Sequence, residues 1–167
     1  ALEKEICATF ELMSEKKPDT LYIGGGTPTT LEPDQLERLF DILASKTDLS
    51  ELKEFTVEAV RADSITREKL AVMKKYGVSR ISVNPQTMKD ETLRLIGRHH
   101  TVGQVYDAFR MARDCGFDNI NMDIILGLPG EDDADVSNTV NEIKKLGPES
   151  LTVHSLAVKR ASKLNRW

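Results

Sequence analysis

Asn119-Ile120-Asn121-Met122-Asp123-Ile124-Ile125-Leu126 is the stretch on which the fold turns. At the two-residue period of a strand it sets Asn119, Asn121 and Asp123 on one face and Ile120, Met122, Ile124 and Leu126 on the other. Three further β-prone runs repeat the pattern. Thr56 and Glu58 share a face in residues 55–59, Ser82, Asn84 and Gln86 in the run from Arg80, and Thr152 and His154 in residues 151–156. A parallel strand dry on both faces is almost continuously apolar, and these are not. An edge strand facing water explains one such run, but not four.

Helical patterns separate the strands. Leu2, Ile6, Phe10 and Met13 form a stripe over residues 2–16, and Leu36, Leu39, Phe40 and Leu43 form another behind Pro33, with Glu32 a weak N-cap. Thr66 caps the next helix, with Ile65 and Leu70 at staple spacing and Gly77 as its stop. A short helical turn spans residues 90–96. Thr101 and Gln104 form a capping box for Val105, Phe109 and Ala112, ending near Gly116. Asp132 caps the last helix, with Val136, Val140 and Ile143, before Gly147-Pro148. Helices between successive strands imply parallel pairing. The fold class is therefore α/β, a partial TIM-like (β/α) barrel of parallel strands with outer helices. The apolar faces meet the helices and the polar faces line a hollow. No linker or low-complexity tract divides residues 1–167, which read as a single domain.

Composition excludes several functions. The chain is 40% hydrophobic and 30% charged, with net charge -4 and pI ≈ 5.5. No basic block offers a nucleic-acid surface, and no apolar run reaches the roughly 20 residues of a membrane span. Cys7 and Cys115 form no CxxC-type pair, so both thiols are expected to be buried rather than bridged, in a cytoplasmic setting.

Residues 20–23, Thr-Leu-Tyr-Ile, run straight into Gly24-Gly25-Gly26-Thr27-Pro28. Three residues without a Cβ allow a ligand to reach the backbone and permit positive φ. In parallel α/β folds ligands bind at this C-terminal rim. Glu58, Gln86 and Asp123 lie near the same rim. Thr29 stands where a dinucleotide fingerprint needs its third glycine, and Walker-A spacing is absent. His99-His100 reads as a solvated turn rather than a metal pair. His154 reads as a hydrogen-bonded interior histidine, with a proton donor as the second reading. Arg98 reads either as a surface charge or as a carboxylate clamp.

Taken in order, Tyr22-Ile23-Gly24-Gly25-Gly26-Thr27-Pro28, Thr56-Val57-Glu58-Ala59, Ile81-Ser82-Val83-Asn84-Pro85-Gln86-Thr87, Ile96-Gly97-Arg98 and Asn121-Met122-Asp123-Ile124-Ile125-Leu126-Gly127-Leu128-Pro129 resemble the motifs of radical S-adenosylmethionine enzymes. More narrowly they resemble the oxygen-independent coproporphyrinogen III oxidases. Thr152-Val153-His154-Ser155-Leu156-Ala157-Val158-Lys159-Arg160 is similar to one bacterial branch of that group. The resemblance implies that Gly24, Gly25, Gly26 and Thr27 meet the methionine end of S-adenosylmethionine. It implies that Glu58 faces the sulfonium ligand, and that Gln86, Arg98, Asp123 and Ala157 line the same cavity.

The implied reaction is oxidative decarboxylation of two propionates of coproporphyrinogen III, giving protoporphyrinogen IX. A 5′-deoxyadenosyl radical would take a hydrogen beside each propionate. The implied partners are a tetrapyrrole substrate and an electron donor and acceptor that the sequence does not encode. The family's CxxxCxxC loop, which ligates a [4Fe–4S] cluster, has no counterpart here, and Val60 and Ala62 stand where this branch more often has glycine and proline. The chain is thus expected to be the central part of such a barrel, without the first strand, the cysteine loop and a C-terminal domain. By itself it is expected to bind no cluster and turn over no substrate. The alternatives are a haem-binding chaperone related to these oxidases and a (β/α) enzyme whose glycine turn holds phosphate.

Overall fold

The computed structural model describes residues 1–14, 16–59 and 61–157. Val60 and the segment Val158-Lys159-Arg160 lie outside them. Five strands alternate with six α-helices: α1 (Leu2–Met13), β1 (Thr20–Ile23), α2 (Pro33–Ala44), β2 (Glu54–Glu58), α3 (Arg67–Lys75), β3 (Arg80–Ser82), α4 (Asp90–Leu95), α5 (Val102–Asp114), β4 (Ile120–Leu126), α6 (Asp133–Leu146) and β5 (Ser150–Ser155).

Every strand pair is parallel, and the sheet order is β1-β2-β3-β4-β5. A doubly wound sheet reverses its strand order at a switch point. This one never does, as in a sheet curling toward a barrel.

The apolar faces form the core. Phe55, Val57, Ile81, Ile120, Met122 and Ile124 are buried against Leu36, Phe40, Leu70, Met73, Val105 and Phe109. Phe40 meets Phe55 edge to face at 5.6 Å, a favoured aromatic geometry. Helix ends follow the caps. Thr66, Thr101 and Asp132 each accept a bond from a backbone N–H of the first turn, and Gly147 closes α6 at φ +69°. Glu32 departs from expectation: with Gln35 it builds a reciprocal capping box on α2. A glutamate is long for an N-cap, but here both of its partners lie within one turn.

Strand β3 ends earlier than its alternation suggests, at Ser82. Pro85 has no N–H to donate to the ladder. Gln86 nevertheless rejoins β4: its N–H donates to the Asp123 carbonyl at 3.0 Å, and its carbonyl accepts from Ile125 N–H at 2.9 Å. The chain reaches that position through φ +70° at Gln86, a conformation non-glycine residues rarely hold.

Candidate ligand site at the strand rim

The glycine turn leaves β1 at the expected rim. Gly25 and Gly26 hold φ +84° and +64°, and space opens where their β-carbons would be. Gly24 is different. A Cβ there would lie 2.5 Å from Tyr22 Cε1 and 3.0 Å from Glu58 Cδ, so a tyrosine and a carboxylate close directly over its α-carbon.

Glu58, the last residue of β2, is held from both sides. The Tyr22 hydroxyl donates to Oε1, and Gly25 N–H donates to Oε2 at 3.2 Å. Partial desolvation of the Tyr22 hydroxyl and its bond to Glu58 push the phenol up to about 12. It is therefore a donor at any physiological pH.

Beneath the turn lies a second tie. After Thr27, Pro28–Thr30 forms one 3-10 turn, and Ala62–Ser64 forms another beyond β2. Lys69 of α3, only 8% exposed, donates to the carbonyls of Thr29 at 2.7 Å and Ser64 at 3.3 Å. The Thr29 and Ser64 hydroxyls meet at 2.5 Å. The loops carrying the glycines and following Glu58 are thus joined through one buried ammonium.

On the polar face the register sets Glu58, Ser82, Asn121 and Ser150 in one row across four strands. Asn121 is its hub. Its carbonyl oxygen accepts from Ser150 at 2.8 Å and Thr152 at 3.1 Å, and its amide donates to Asp123 at 2.6 Å. Arg80 donates to Ser150 at 3.1 Å and pairs with Glu54 at 3.5 Å. The polar side chains of β3, β4 and β5 on this face are therefore bonded to one another. On the same face Tyr22 lies level with Thr56 and Arg80, Glu58 lies level with Asn121, and Asp123 and His154 lie further along β4 and β5.

His154 corrects a reading. It is not interior: its side chain is 54% exposed, with Nε2 3.6 Å from Asp123 Oδ2. The His99-His100 turn divides. His99 is exposed, but His100 is 3% exposed with neither ring nitrogen hydrogen-bonded. Burial holds its pKa below the ordinary value, opposed by the Pro85 carbonyl and aided by Arg98. Both thiols are half-buried and free.

Arg98 is half-buried and makes no ion pair among the described residues. Burial first, then the nearby Arg61 guanidinium, lower its pKa, with Asp63 opposing. A charge left in that condition suits an anion. Gln86 is buried beside Asn84, whose buried Oδ1 has no partner. Ala157 is exposed just past β5. Thus the turn, Glu58 and Asp123 stand at the rim of the polar face, Gln86 at the break in β3, and Arg98 with Arg61 beyond α4. The sequence reading missed Tyr22, Lys69 and Asn121 as structural actors. Tyr22 shares strand parity with the other polar side chains, and Lys69 begins the stripe Lys69, Val72, Met73 and Tyr76 on α3.

The residues fit S-adenosylmethionine: open backbone at the glycines, a fixed carboxylate for an ammonium, a guanidinium for a carboxylate, and an unmatched Asn84 oxygen. Cys7 lies on α1 and Cys115 at the end of α5, and among the described residues no three His, Cys, Asp or Glu side chains gather to hold a metal ion. Phosphate fits poorly, since α2 is capped by its own Glu32 and Gln35 and carries Asp34 in its first turn. Among the described residues no helix is long and apolar enough to cross a membrane.

Comparison with known proteins places the chain in a family. The chain is 48% identical over 151 residues to the oxygen-independent coproporphyrinogen-III oxidase-like protein HemZ of Bacillus subtilis, covering 90% of this chain and 30% of that protein. It is 40% identical over 162 residues to the heme chaperone HemW of Bacillus subtilis, covering 95% of this chain and 42% of that protein. The structure of coproporphyrinogen III oxidase (HemN) from Escherichia coli, a radical SAM enzyme, superposes with TM-score 0.86 at 28% identity, over 95% of this chain and 36% of that one. The chain thus spans well under half the length of each. The model of the Radical SAM superfamily matches residues 3–143, and the chain belongs to that superfamily.

Proposed function

We propose that this chain is the central part-barrel of a longer protein that decarboxylates coproporphyrinogen III without oxygen, giving protoporphyrinogen IX. Each of two propionates loses carbon dioxide and one hydrogen atom, and one further electron from each passes to an acceptor. The observation that carries the reading is Glu58, fixed by Gly25 N–H and Tyr22 under an open glycine turn, on the same polar face as Asp123. S-adenosylmethionine, when bound, supplies the hydrogen-abstracting chemistry.

The chain's residues bind and orient. Backbone N–H and C=O groups of residues 24–27 meet the methionine end, Glu58 takes its ammonium, and Arg98 takes a carboxylate in its planar fork. Gln86, Asp123 and Ala157 border the rest of the ligand. Asp123 is itself held by the Asn121 amide, which Ser150 and Thr152 orient in turn.

Heme chaperone function is the second reading, favoured by the 40% identity to HemW. Anaerobic incubation of the full-length protein with S-adenosylmethionine, a reductant and coproporphyrinogen III is expected to release carbon dioxide and form protoporphyrinogen IX. Tight haem binding with no carbon dioxide release decides for the chaperone. In either case Glu58→Gln is expected to weaken S-adenosylmethionine binding about tenfold, as loss of a hydrogen bond to a charged group implies. Unchanged binding would remove Glu58 from the site.

A further inference from the structure

The carboxylate of Glu58 sits at the end of a strand, on a side chain with three rotatable torsions. Left alone it would sample several rotamers, and a ligand would have to immobilise it at an entropic cost. Two groups of this chain already do so. Gly25 N–H is part of the turn itself. The other is Tyr22, which lies two residues before Gly24 on the same polar face and is 60% exposed. Its ring edge rests over Gly24, where a β-carbon would come within 2.5 Å of Cε1. The hydroxyl has one described partner, Glu58 Oε1.

We infer that Tyr22 is a positioning residue for ligand binding: it acts through Glu58, fixing that carboxylate so that it receives the ammonium of the ligand's amino-acid arm. The inference rests on the reading of Glu58 given above. A carboxylate has roughly four acceptor sites, so two donors from the chain leave room for the ammonium. Tyr22 stays protonated, so its hydroxyl never competes with Glu58 for a cation.

Selectivity separates positioning from a merely structural role. Dissociation constants for S-adenosylmethionine and methylthioadenosine, which lacks the amino-acid arm, are measured on the full-length protein for the wild type, Tyr22→Phe, Glu58→Gln and the double variant. Tyr22→Phe is expected to weaken S-adenosylmethionine about fivefold and leave methylthioadenosine within about twofold. The double variant is expected to bind no worse than Glu58→Gln alone, because the two residues act as one unit. Equal weakening of both ligands, no effect of Tyr22→Phe, or an undiminished effect of Tyr22→Phe in the Glu58→Gln background overturns the inference while Glu58 keeps its role. If Glu58→Gln itself leaves both ligands unchanged, the reading of Glu58 fails and the inference falls with it.

Discussion

Gly24 and Gly25 are neighbours with the same missing side chain and opposite reasons for it. Gly25 adopts φ +84° with open space around it, whereas the absent Cβ of Gly24 would meet Tyr22 and Glu58. Gly25→Ala is therefore expected to lose about 1–2 kcal/mol of stability from left-handed backbone strain, read by chemical denaturation. Gly24→Ala is expected to push the Tyr22 ring aside and break its bond to Glu58. The exposed ring has room to move, so stability should change little while S-adenosylmethionine binding weakens about tenfold. If Gly24→Ala bound normally, the close approach seen here would be irrelevant to the ligand. Sequence announced that glycines mattered at this bend. It could not distinguish crowding from strain, because that distinction depends on which side chain of β2 leans over the turn.

Between elements, the decisive ties are few and long in sequence. Lys69 joins the 3-10 turn after the glycines to the one after β2 through two carbonyl oxygens. Lys69→Met is expected to destabilise the protein by roughly 1–3 kcal/mol, the cost of leaving a buried acceptor without a donor. Lys74→Met, whose ammonium meets the Gly116 carbonyl at an exposed site, is expected to cost about 0.5 kcal/mol or less. Equal losses in a denaturant titration would contradict the burial argument. A second tie is pH-dependent. Lys89, at the start of α4, donates to Asp135 in the first turn of α6 at 2.7 Å, and this bond holds the Asp135 carboxyl below its ordinary range. A depressed carboxyl stabilises the fold above its unfolded pKa of about 3.9, and the contribution vanishes as pH falls through the native value. The melting temperature of the wild type should thus fall more steeply below about pH 4 than that of Lys89→Met. Parallel curves would show the pair to be idle.

For the molecule as a whole, strand alternation and capping residues made the architecture legible. Thr66, Thr101, Asp132 and Gly147 stop and start helices by local chemistry that needs no tertiary partner, and four amphipathic strands pointed to a curled sheet. Legibility failed where burial depends on distant segments. Strand parity put His154 on the polar face but could not say that nothing among the described residues covers it. Two adjacent histidines suggested a solvated pair, yet His100 is sealed in beside the Pro85 break. Polar residues on the inner face suggested a lined hollow, but which of them bond to one another through Asn121 depends on register across three strands. Of the candidate site, the turn, Glu58 and Asp123 could be read from spacing and resemblance, while the supports beneath them could not.

The hydrogen-bonded network around Asn121 has one further consequence. Ser150, Thr152, Arg80 and Asp123 all converge on that amide or its partners, so this network answers to its own chemistry whether or not anything occupies the rim. Position across the sheet therefore sorts substitutions into two phenotypes. Changes at Ser150 or Thr152 on β5 should register first in calorimetry with occupancy intact, and changes at Tyr22 on β1 or Glu58 on β2 should register first in occupancy with calorimetry intact.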